Sequence, residues 1–159
     1  MKYKTISGII ICTITIFSTP SYAELKPEDE IKYRQSAMMF MRWNMGKIKK
    51  QVVKNPETYN KEQIISSANV IASVANSGLG KLFSEKTKKG KGWKETRIKS
   101  EFFEQPDEVK KRANIFKDEA NKLAKVANTG NIDKIKNQFD KTFKACKGCH
   151  KKFRKKEPK

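Results

Sequence analysis

Between Pro27 and Phe153 the apolar side chains recur at steps of three and four, and no stretch alternates as a strand would. Four amphipathic helices are predicted. The first starts at Pro27, with Glu28, Asp29 and Glu30 in its first turn, and ends at Lys54 before Asn55-Pro56. Its apolar positions are Met38, Met41, Met45, Ile48 and Val52, and its length is ~42 Å. A second helix begins near Asn60 and carries Ile64, Ala68, Ile71, Ala75 and Leu79 on one face, with Gly78 and Gly80 weakening its end. Residues 83–105, with Gly90, Gly92, Trp93 and many lysines, form the one long irregular connection, the kind of segment that often covers a site. The third helix opens at Pro106-Asp107-Glu108 and repeats Val109, Ala113, Phe116, Ala120, Leu123 and Ala127. After a turn at Asn128–Asn131, where Gly130 suits a left-handed cap, the fourth carries Ile132, Ile135, Phe139, Thr142, Cys146, Cys149 and Phe153 on one stripe. Short links make the first and second, and the third and fourth, antiparallel neighbours. The expectation is an all-α, antiparallel up-down-up-down four-helix bundle without internal repeats.

The last stripe contains Cys146-Lys147-Gly148-Cys149-His150. Cys-x-x-Cys-His is the attachment pattern of a c-type haem: two thiols add to the porphyrin vinyl groups and the next residue offers its imidazole to the iron. Three apart on a helix, Cys146 and Cys149 share a face, and His150 is four from Cys146. A haem held there would sit inside the bundle. The same residues admit a tight Cys146–Cys149 disulfide, a thioredoxin-like pair or a zinc site. The disulfide leaves His150 without a role, no βαβ pattern accompanies the pair, and three near-adjacent ligands do not close a tetrahedron.

Residues 1–23 read as a secretory signal peptide. Lys2 and Lys4 precede an apolar run from Ile6 to Phe17, and Ser21-Tyr22-Ala23 fits a cleavage site, so the mature chain starts at Glu24. The run is too short for a membrane span, which needs about 17–25 residues. The mature domain, 24–159, is long enough to bury a core. The formal charge of the whole chain is +19, and a leader with two lysines and no acid leaves +17. Such a charge favours anionic partners. The basic residues are not interleaved with aromatics as in a nucleic-acid surface, and export argues against nucleic acid as a partner.

The mature chain resembles the cytochrome c′ family of exported bacterial haem proteins. The likeness lies in Lys26-Pro27-Glu28-Asp29 and Ile31-Lys32-Tyr33-Arg34-Gln35-Ser36-Ala37 near the start. At the end it lies in Phe143-Lys144-Ala145-Cys146-Lys147-Gly148-Cys149-His150-Lys151-Lys152-Phe153-Arg154. Ordinary cytochromes c carry the haem motif near the N-terminus instead. The resemblance implies one covalent haem c, thioethers at Cys146 and Cys149, and His150 as the axial iron ligand. It gives Arg34 and Gln35 contact with the haem propionates, and Arg154 a place on the proximal side. Thr96 and Arg97 fall where a further haem contact is expected. Met38 falls at the distal position, where one branch of the family blocks the iron with an apolar side chain and another uses methionine as a sixth ligand.

The function the resemblance implies is a periplasmic monohaem cytochrome c′, five-coordinate, that binds nitric oxide or carbon monoxide, transfers electrons, or does both. The alternative is a low-spin six-coordinate His/Met electron carrier of the same superfamily. Neither is an enzyme; a peroxidase would want a second histidine, and the chain has one. Implied partners are a small gas, an acidic redox protein and a second copy of the chain. Family homodimers form through the first two helices, which here are rich in lysine.

Overall fold

A computed structural model describes residues 25–157, so the expected leader lies outside the described residues. α1 spans Pro27–Lys49, and its helical path continues through a wider π-type turn, Lys50–Lys54. α2 spans Lys61–Asn76, where the Asn60 side chain caps the start by accepting from the Gln63 N–H. The connection beyond α2 is not wholly irregular. It contains two short 3₁₀ turns and the one-turn helix α3, Glu101–Glu104. α4 spans Pro106–Ala127, and α5, Ile132–Phe153, is capped by Asn131 on the Lys134 N–H. Gly130 takes φ +69°, as a left-handed turn requires. Among the described residues extended pairing is limited to isolated bridges, Lys91 with Glu95 and Ile98 with Arg154, and no helix is long and apolar enough to cross a membrane.

α1, α2, α4 and α5 form the antiparallel four-helix bundle. α1 packs on α2, α2 on α4 and α4 on α5, while α1 touches α5 sparsely. At the turn joining α1 and α2, Gln51 bonds Gln63 and accepts from the Asn60 N–H at 2.8 Å. On α4 and α5, Thr142 Oγ1 donates to the Glu119 carbonyl at 3.1 Å.

The continuous core fills the half of the bundle nearer that turn. It comprises Met45, Ile48, Val52, Ile64, Ala68, Ile71, Ala120, Leu123, Ala127, Ile135 and Phe139. Each fully buried Ile or Leu there stabilises the fold by roughly 1.5–3 kcal/mol. Toward the other end Ile31 and Phe153 are buried, and Met38, Val109 and Phe116 are half-buried. Cys146, Cys149 and His150 lie at this end.

Candidate functional site

α5 presents Cys146, Cys149 and His150 as half-buried side chains, and both cysteines are free thiols in continuous helix. The disulfide reading is therefore not the arrangement seen, and among the described residues no cluster of three His, Cys, Asp or Glu is set to hold a metal ion, as the zinc reading needs. Burial pushes the Cys146 thiol up to about 11 and raises Cys149. His150 is pushed below its ordinary value by burial first, with the Arg154 and Arg97 guanidinium groups adding to it. A neutral imidazole with a free lone pair is the form that binds iron. Two thiols and a neutral imidazole on one partly sheltered helix face suit a covalently held haem.

The Lys99 N–H donates to the Phe153 carbonyl at 2.9 Å, and the Lys155 N–H donates to the Arg97 carbonyl at 2.7 Å. These bonds flank the Ile98–Arg154 bridge and tie the long connection to the chain just past His150. Phe102 of α3 packs against Phe83 and Phe153, with ring centroids 5.0 and 5.7 Å away.

Arg34 is buried, and burial lowers its pKa while Glu30, one turn earlier, opposes the shift. Its Nη1 donates to the Leu82 carbonyl at 2.9 Å and to Thr87 Oγ1, and its Nη2 to the Thr87 carbonyl at 3.2 Å and Thr96 Oγ1 at 2.7 Å. Four of the five guanidinium N–H groups are thus committed to the long connection. The Gln35 amide donates to the Lys94 carbonyl at 2.8 Å and accepts from the Lys94 N–H at 3.1 Å. The pair expected at the haem propionates is thus engaged with the protein's own backbone and threonines. Thr96 is a partner of Arg34, whereas Arg97 lies near His150 and pairs loosely with Glu157 at 3.4 Å. Met38 is half-buried one turn beyond Arg34.

Sequence reasoning missed Thr87 and Glu30. Thr87 is fully buried, and Glu30 accepts from the Ser84 N–H and Oγ at 3.2 and 3.1 Å. The i, i+4 spacing of Glu30 and Arg34 was a legible signal. Thr87, set among lysines in an irregular stretch, carried none.

A family model for cytochrome c′ matches residues 29–154. The cytochrome c′ of Rhodocyclus tenuis is 47% identical over 132 residues, covering 83% of this chain and 98% of that protein. That of Allochromatium vinosum is 42% identical over 151 residues, 95% of each. The crystal structure of cytochrome c′ from Thermochromatium tepidum superposes with a TM-score of 0.79 at 42% identity, covering 84% of this chain and all of that one. On fold, sequence and motif together, the chain belongs to the cytochrome c′ family, whose cofactor is one covalently attached haem c.

Proposed function

We propose that the protein is an exported, periplasmic cytochrome c′ with a five-coordinate haem that binds nitric oxide or carbon monoxide and exchanges electrons. The observation that carries this reading is His150. It is the one histidine of the chain, half-buried, and it follows two unpaired cysteines on the same helix. Cys146 and Cys149 would hold the haem through thioethers, and His150 would bind its iron. The haem supplies an iron that takes diatomic gases or changes valence by one electron. A cytochrome c′ from Alcaligenes xylosoxidans, 30% identical, has been solved in a ferrous variant with bound NO, which supports the gas reading.

Met38 would be the distal residue in this reading and would shield the iron from gases. Arg34 and Gln35 would contact the haem propionates, and they also hold the long connection. The alternative is six-coordinate His/Met ligation for electron transfer, which a thioether at position 38 also permits. The ferric optical spectrum of the native protein and of Met38→Ala decides between them. A high-spin spectrum without a thioether–iron band is expected. A band that Met38→Ala abolishes would overturn the five-coordinate reading.

A homodimer through α1 and α2 is part of the proposal. Met39, Phe40 and Trp43 of α1 are exposed, Met39 by 64%, and Phe40 borders a groove of about 650 Å³ with Ile65, Val70 and Val74 of α2. A 46% identical cytochrome c′ is described as having a ligand-controlled dimer dissociation, which supports self-association here.

A further inference from the structure

The segment between α2 and α4 contacts both α1, which carries the proposed distal Met38, and the end of α5, which carries the proposed iron ligand His150. On α1 its contacts fall at Glu30, Arg34, Gln35 and Ser36, on the turns directly before Met38. Ser84 bonds Glu30, Thr87 and Thr96 bond Arg34, Lys94 bonds Gln35, and Trp93 Nε1 donates to Ser36 Oγ at 2.8 Å. Gly92 lies so close to α1 that a Cβ there would stand 2.7 Å from the Lys32 backbone nitrogen. At the end of α5 and just past it the contacts fall at Phe153, Arg154 and Lys155, three to five residues after His150. Thr96 belongs to the first set and Arg97 to the second, so no slack separates them. Two residues of chain span at most about 7 Å. α1 and α5 touch each other sparsely, and this strap adds hydrogen bonds to both.

We infer that residues 82–99 set the position of Met38 relative to His150, and that Thr96 is the positioning residue. It holds Arg34, and Arg34 fixes the rotation of α1 about its axis. Met38 lies four residues on, on the same face, and turns with it. The strap thereby governs how completely Met38 shields the iron from gases. This inference rests on the proposed distal role of Met38.

The test uses the ferrous holoprotein and stopped-flow binding of carbon monoxide. It compares native protein with Thr96→Val, Met38→Ala, the double variant, and Gln51→Ala at the opposite end of the bundle. Losing one hydrogen bond of about 1 kcal/mol corresponds to roughly fivefold in rate. Thr96→Val is expected to speed association by about that factor, and to have no further effect when combined with Met38→Ala. Its ferric EPR signal is expected to shift, while Gln51→Ala changes neither rate nor signal. Equal acceleration by Thr96→Val with and without the Met38→Ala substitution overturns the inference, as does a silent Thr96→Val or equal acceleration by Gln51→Ala. If Met38→Ala itself leaves the rate unchanged, the distal reading of Met38 falls and the inference with it. If Met38→Ala speeds binding and Thr96→Val does not, the inference alone falls.

Discussion

The Gln138 side chain on α5 donates to Glu119 of α4 twice, at 2.6 Å to its carboxylate and at 3.2 Å to its backbone carbonyl. Lys122 adds a bond to the same carboxylate at 2.8 Å. These donors hold the Glu119 carboxyl below its ordinary value of 4.5, with the Lys122 bond the largest cause. A depressed carboxyl pKa contributes stability that is fully present above 4.5 and is lost as pH falls through the folded value. Glu119→Gln should therefore lower stability at neutral pH by about 1 kcal/mol and flatten its decline in acid. Urea titrations of both proteins at neutral and acidic pH check this; parallel pH profiles would contradict it.

Gly92 and Gly46 should respond oppositely to alanine. A Cβ on Gly92 would lie 2.7 Å from the Lys32 nitrogen and 2.9 Å from Gln35 Oε1, whereas one on Gly46 meets nothing within 4 Å. Gly92→Ala should cost on the order of 1–3 kcal/mol by forcing the strap off α1. Gly46→Ala, in the interior of α1, should stabilise by roughly 0.5–1 kcal/mol. Thermal unfolding of the two variants tests the contrast.

The helices were legible because each stripe repeats at helical spacing and two of the starts carry their own signal, Pro27 and Pro106 with acids behind them; the Asn60 and Asn131 caps emerge only in the structure. The haem motif was legible because its chemistry demands fixed spacing. The fate of Arg34 was not. A local pattern places it on the face of Met38, but its acceptors lie 48 to 62 residues away in a stretch without periodicity.

Haem should remain with the polypeptide in acidified acetone when the protein is matured with its export signal. Cys146→Ala and Cys149→Ala should each leave one thioether, and the double variant should release the haem. Mass spectrometry reads all three. His150→Ala should abolish the native iron spectrum, because the sequence contains no other imidazole. A native spectrum in that variant would assign the axial ligand elsewhere.

Phe40→Lys should favour the monomer. Phe40 stacks on Trp43 with centroids 5.7 Å apart, and Lys47 already lies over the Trp43 ring at 3.4 Å. A second cation there would add charge to both faces of a symmetric interface. Sedimentation of native and variant holoprotein checks it, and an unchanged dimer would move the interface away from α1.

Electron exchange with an acidic protein partner should slow as salt rises. Residues 141–156 carry eight lysines and arginines and no acid, and attraction between such surfaces is screened beyond about 10 Å at 0.1 M salt. Stopped-flow rates across an ionic-strength series test this. A flat response would leave the lysines to solubility.

The core around the α1–α2 and α4–α5 turns is built without the haem motif. Met45–Val52, Ile64–Ile71, Ala120–Ala127 and Ile135–Phe139 meet without help from the cysteine motif. This half therefore packs around the α1–α2 and α4–α5 turns on its own side chains. The chain past the motif is secured separately, where Arg97, Ile98 and Lys99 pair with Phe153, Arg154 and Lys155. That tie is made by main-chain atoms, so substitution of the side chains at Arg97, Lys99 or Lys155 leaves its hydrogen bonds in place.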